Sequence, residues 1–123
     1  VSTHLPTKFH AFIGGFFGTD YTIELDGQEL VYLADETHSG EGRRERISPT
    51  GDEWNTFWKQ LNELGVWEWK RKYETEICDG TQWELDIKYG DKKRKCYGSN
   101  AYPDRFDEYL QAVKELLGGR EFS

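Results

Sequence analysis

Gly18-Thr19-Asp20-Tyr21-Thr22-Ile23-Glu24-Leu25 can be laid over Gly80-Thr81-Gln82-Trp83-Glu84-Leu85-Asp86-Ile87, and the match of these two stretches decides the reading of the fold. Both open Gly-Thr and then alternate. Tyr21, Ile23 and Leu25 fall on one side of an extended chain, with Thr22, Glu24 and Asp26 on the other. Trp83, Leu85 and Ile87 against Glu84, Asp86 and Lys88 repeat that division. Period-two alternation of this kind is the signature of an antiparallel strand with one face buried and one face wet. Asp26-Gly27 and Gly90-Asp91 then supply hairpin turns, because both pairs tolerate the positive φ that a tight turn demands. Return strands are expected over 28–34 and 92–98.

Each hairpin leads to a helix pattern. Thr50 and Glu53 form a T-x-x-E capping box, after which Trp54, Phe57, Trp58, Leu61 and Leu64 recur at helical spacing until Gly65. Pro103 begins the second helix, where its missing N–H costs nothing, and Phe106, Tyr109, Leu110, Val113, Leu116 and Leu117 form its stripe up to Gly118-Gly119. The chain therefore reads as two tandem ββα units, an internal repeat of 18–65 and 80–118. Further strands are expected at 9–17 and 66–78. The hairpins' apolar faces need a cover, and the two stripes are the covers available. The expected fold is α+β, a largely antiparallel sheet with two helices packed on one face. Trp54, Phe57, Leu61, Phe106, Leu110 and Val113 should lie in its core. Trp67 is expected there too, whereas Trp69 beside a basic run is open between the core and an interface anchor. Residues 35–46 carry Gly40 and Gly42 and no apolar residue between Ala34 and Ile47, and read as a loop.

Composition bounds the rest. A chain of 123 residues, 36% hydrophobic and 32% charged, suits one domain spanning 1–123. Five Trp give it rings enough to fold. The net charge of −7 argues against a dedicated duplex-DNA binder. No apolar run approaches the length of a membrane span, since the longest, Ala11 to Phe17, is interrupted by Gly14 and Gly15. The absence of Met and the opening Val1-Ser2-Thr3 suggest a processed product or the soluble part of a longer chain, and no targeting signal is visible. The expected location is cytoplasmic, with the cytosolic part of a longer, membrane-linked protein as the alternative. Cys78 and Cys96 lack C-x-x-C spacing and are expected as reduced thiols, with a bridge as the alternative.

Trp54-x-x-Phe57-Trp58, Leu64-Gly65-Val66-Trp67, Asp79-Gly80-x-x-Trp83 and Gly98-Ser99-Asn100-Ala101-Tyr102-Pro103-x-x-Phe106 together resemble a family of small bacterial proteins of uncharacterised activity. The resemblance spans residues 47–117, and Gly-Ser-Asn-Ala-Tyr-Pro ahead of a helix is its most specific element. It implies no activity, substrate or cofactor.

Catalytic constellations are poor. His4, His10 and His38 form no H-x-x-x-H pair, no G-x-S-x-G elbow or phosphate-binding Gly loop is present, and nothing places a His base beside a Cys nucleophile. The pairs Glu24/Asp26 and Glu84/Asp86 read as solvated strand faces. No enzyme activity, metal or cofactor is expected. Basic charge is instead gathered in Arg43, Arg44 and Arg46, in Lys70-Arg71-Lys72 and in Lys92-Lys93-Arg94-Lys95. Lysines on a strand serve either to protect a sheet edge or to meet an anion. The basic strand feeds Gly98-Ser99-Asn100-Ala101-Tyr102 and the second helix's N-terminus, where N–H groups favour negative charge and Tyr102 offers a ring for stacking. Two functions follow. One is a non-enzymatic binding domain that contacts a protein partner through aromatics and mixed charge. The other is a sensor of a small anionic ligand, such as a nucleotide or cyclic oligonucleotide, held by Arg43, Arg44, Arg46, Lys93, Lys95, Ser99, Asn100 and Tyr102.

Overall fold

Alternation, turn chemistry and capping build the elements locally, and one buried face joins them. The computed structural model describes residues 5–15, 19–36, 42–74 and 81–122. Among these, β1 (Lys8–Gly15), β2 (Asp20–Asp26), β3 (Glu29–Asp35), β4 (Arg43–Ile47), β5 (Lys72–Glu74), β6 (Thr81–Tyr89) and β7 (Lys92–Ser99) form a seven-stranded sheet in the order β4-β3-β2-β1-β6-β7-β5. Every pairing is antiparallel except β5 with β7. Helices α1 (Gly51–Leu64) and α2 (Phe106–Leu116) complete an α+β architecture.

The expected hairpins are present, β2–β3 turning at Gly27 (φ 67°) and β6–β7 at Gly90 (φ 61°). They sit on either side of β1, which pairs with β2 through Ala11↔Ile23 and with β6 through Ala11↔Leu85. Phe9, Ala11, Ile13, Ile23, Leu30, Tyr32, Trp83, Leu85, Ile87 and Cys96 thus share one face, and that face forms a single core with Trp54, Phe57 and Leu61 of α1 and Phe106, Tyr109, Val113 and Leu116 of α2. Phe9 meets the Trp54 and Phe57 rings at 6.1 and 5.6 Å, and Trp83 meets Phe106 at 4.9 Å, so both helices cover the same side. The tail closes the far end, with Phe122 buried and the Tyr32 hydroxyl donating to the Glu121 carbonyl at 2.7 Å. The hairpins open toward opposite edges of the sheet. β2 and β6 each pair antiparallel with β1, and a helix follows each hairpin later in the chain.

Five local expectations are corrected. Residues 43–46, read as part of a loop, form β4 together with Ile47, because Ile47 enters the core and Glu45 pairs with Arg120 at 3.2 Å on the helix side. Backbone pairing to β3 needs no apolar alternation, so the pattern was silent there. In place of a strand from Val66, Val66–Glu68 make a 3-10 turn, and among the described residues of 66–78 the strand is limited to Lys72–Glu74. That turn decides the tryptophans: Trp69 enters the core, 6% exposed and ringed by Trp83 and Tyr109, while Trp67, expected in the core, is half-buried at its edge. Finally, α2 begins at Phe106, after Arg105 in a left-handed conformation (φ 64°), so Pro103 lies ahead of the helix, and Leu110 is only half-buried. His4, Gly18, His38, Cys78 and Gly80 lie outside the described residues. Cys96 is a buried free thiol.

Candidate functional site

The side chains that alternate with the core face form the other face of the sheet, which no described helix covers. Cross-strand register arranges them in rows. One row runs Arg46, Val31, Glu24, His10, Asp86, Lys95 from β4 to β7, and the next runs Arg44, Leu33, Thr22, Phe12, Glu84, Tyr97, Lys72. Both rows are cationic at their ends and acidic near the middle. Val31, Leu33 and Phe12 are half-buried, and Tyr97 is 40% exposed.

Ion pairs lace this face. Arg46 binds Asp26 at 2.8 Å and Glu29 at 3.1 Å, and the Ser48 hydroxyl donates to Glu29 at 3.0 Å. The Arg46 and Ser48 hydrogen bonds hold the Glu29 carboxyl below its ordinary value. His10 spans the centre, with Nδ1 3.0 Å from Glu24 and Nε2 3.9 Å from Glu84, while Lys8 reaches Asp86 at 2.8 Å. Beside these pairs, Thr22, Glu24, Val31, Leu33, Arg44 and Arg46 line a depression of about 500 Å³ with an aliphatic floor.

The residues marked in the sequence as an anion site fall in three places. Arg44 and Arg46 stand on the open face of β4, whereas Arg43 is turned to the other side and lies 3.6 Å from Glu45. Lys93 and Lys95 share the open face but stand on β7, five strand spacings from β4, or about 24 Å. Ser99, Asn100 and Tyr102 are at the opposite end of β7 from Lys93, about 20 Å along the strand. Arg94, between the two lysines, faces inward and gives its Nη1 to the Trp69 carbonyl. The Ser99–Tyr102 corner is built by backbone needs: Asn100 sits at φ 55°, its N–H donates to the Thr81 carbonyl at 2.9 Å and its side-chain carbonyl accepts the Thr81 N–H at 3.0 Å.

That corner also borders a cavity that linear reading missed. Ile13, Thr81, Tyr102, Pro103, Asp104, Arg105, Phe106, Asp107 and Leu110 line an open cavity of about 580 Å³, with Tyr102 45% exposed and its ring 5.0 Å from that of Phe106. Only the β1–β6 register and the late start of α2 bring Ile13 and Thr81 to Phe106, and neither is a local signal. Burial pushes the Cys96 thiol up to about 12 and raises the Tyr109 hydroxyl as well, so both favour their protonated forms. Among the described residues no group of His, Cys, Asp and Glu is placed to hold a metal ion, and no helix is long and apolar enough to cross a membrane.

Compared with protein-family models and with characterised proteins, the chain matches none.

Proposed function

We propose that the protein is a non-enzymatic binding domain that contacts a protein partner through the open face of its sheet. The observation that carries this reading is the make-up of that face, where Val31, Leu33, Phe12 and Tyr97 stay partly accessible inside a frame of charged side chains. Partial apolar exposure with a charged surround is the composition of a recognition surface. Charge pattern selects the partner. A second copy laid squarely on this face would set the acidic centre of Glu24, Glu84 and Asp86 against itself, a like-charge juxtaposition that disfavours the pair. A different protein bearing basic groups for the centre and acidic groups for the Arg44 and Lys95 flanks fits instead.

The test uses the intact chain as bait with residue-resolved cross-linking. Leu33→Lys and Tyr97→Ser should each abolish capture of the wild-type partner while leaving the circular dichroism spectrum unchanged. Lys59→Ala, on the exposed side of α1, should leave capture intact. A partner retained by both open-face variants overturns the assignment. A panel of nucleotides checks the anion-sensor alternative: a rise in Tm with concentration for any of them would favour it, since a ligand that binds only the folded state stabilises by mass action.

A further inference from the structure

We propose that the cavity beneath Tyr102 is a second binding site, on the helix side of the sheet, for an organic cation: an ammonium or guanidinium group carried on an apolar stem. Its size comes first. About 580 Å³ lies within the range that encloses a small ligand or one long side chain. Its floor is apolar, made by Ile13, Pro103, Phe106 and Leu110, and its wall is the Tyr102 ring, which remains 45% exposed although the tilted Phe106 ring lies 5.0 Å from it. An exposed aromatic ring at the mouth of a cavity is a platform for a cation, because the π-electron quadrupole presents negative charge on the ring face.

The sign of the charge around the cavity decides between cation and anion. Arg105 is committed elsewhere, its Nη2 2.6 Å from Glu108 and its Nη1 bonded to the Glu63 carbonyl at 3.0 Å. Asp104 and Asp107 line the cavity from exposed positions. The positive end of α2 also faces this side, worth about half a charge. With Arg105 offset by Glu108, the two carboxylates of Asp104 and Asp107 outweigh that partial charge, so the balance at the mouth stays negative. The basic residues that would reverse that balance, Lys93 and Lys95, are at the far end of β7. An apolar stem can thus lie along Phe106 and Leu110 while its charged head sits between the Tyr102 ring and the carboxylates.

Amide NMR of the intact, isotopically labelled chain tests this with four probes: N-butylguanidine, N-butylurea as its uncharged counterpart, an arginine-containing pentapeptide, and inorganic phosphate. N-butylguanidine or the peptide should move the amide signals of residues 102–110, and N-butylurea should not. Saturable shifts with N-butylguanidine identify a free small molecule as sufficient, and shifts with the peptide alone identify a side chain of a protein partner. Tyr102→Ala and Asp107→Asn, whose spectra elsewhere should match wild type, should each weaken the binding by about tenfold. Shifts with phosphate in place of the cations, equal shifts with N-butylurea, no response to any probe, or unchanged affinity in both variants would each overturn the proposal. Because the open face lies across the sheet, Leu33→Lys should leave these shifts unaltered, which separates this site from the partner-binding face.

Discussion

Gly98 shows how a single position couples strand, ring and turn. A Cβ built there would come 2.2 Å from the Trp83 indole nitrogen and 2.6 Å from the Ala101 carbonyl, the two atoms that share a 2.9 Å hydrogen bond. Gly98→Ala should therefore cost about 1–3 kcal/mol from overpacking and more if the indole bond is lost, read as a fall in the urea midpoint with quenched or shifted Trp fluorescence. Leu61, 0% exposed between α1 and the sheet, should lose about 2–5 kcal/mol on truncation to Ala, and half-buried Leu110 less. Cys96 gives a pH signature. Its thiol is raised from an ordinary 9.0 to about 12 by burial, so the fold favours the protonated form. That contribution is complete below pH 9 and is lost as pH climbs from about 9 toward 12. Urea melts at pH 8 and pH 10 should differ by roughly 1 kcal/mol from this group, with Tyr109 adding in the same direction. Cys96→Ala should flatten the Cys96 part of the slope.

At the scale of the element, α1 illustrates a start and stop written locally. The Thr50 hydroxyl accepts the Glu53 N–H at 3.1 Å, the Glu53 carboxylate accepts the Thr50 N–H at 2.9 Å, and Gly65 ends the helix at φ 73°. Thr50→Ala should cost about 1 kcal/mol and Thr50→Ser much less, as denaturant titration would show. Strand β7 carries a different lesson. Its partner β5 pairs only with Tyr97, Gly98 and Ser99, so among the described residues the stretch from Lys92 to Cys96 presents an unpaired edge. Charge on such an edge discourages pairing with another chain. Replacing Lys93 and Lys95 with Val should leave the fold intact and produce concentration-dependent association by light scattering. A monomeric variant would remove the edge-protection role and leave the two lysines to partner binding.

For the whole molecule, one core spans both helices and the central strands, with no apolar division between the β2–β3 side and the β6–β7 side. Unfolding should then be cooperative, with Trp fluorescence and far-ultraviolet dichroism giving the same midpoint, because no half retains a closed core without the other. Leu61→Ala on α1 and Val113→Ala on α2 should shift both signals together. Two separated transitions would show that each hairpin and its helix fold as a unit.

Alternation in 20–26 and 81–89, the turn pairs at Gly27 and Gly90, and the stripes of α1 and α2 are interactions within a few residues, and the sequence by itself determined those elements, the α+β class and the identity of most core side chains. Glu45 and its neighbours became a strand only because β3 offered a ladder and Arg120 returned from the far end of the chain, contacts with no local trace. The placing of charge was decided in the same way. Arg44, Lys95 and Tyr102 read as neighbours when chain order alone was followed, yet strand order sets the first two at opposite sides of one face, and strand length takes the third to the other end of β7. Pairing between distant strands is fixed by burial of the shared face as a whole. The open face and the Tyr102 cavity, being products of that pairing, belong to the tertiary structure alone.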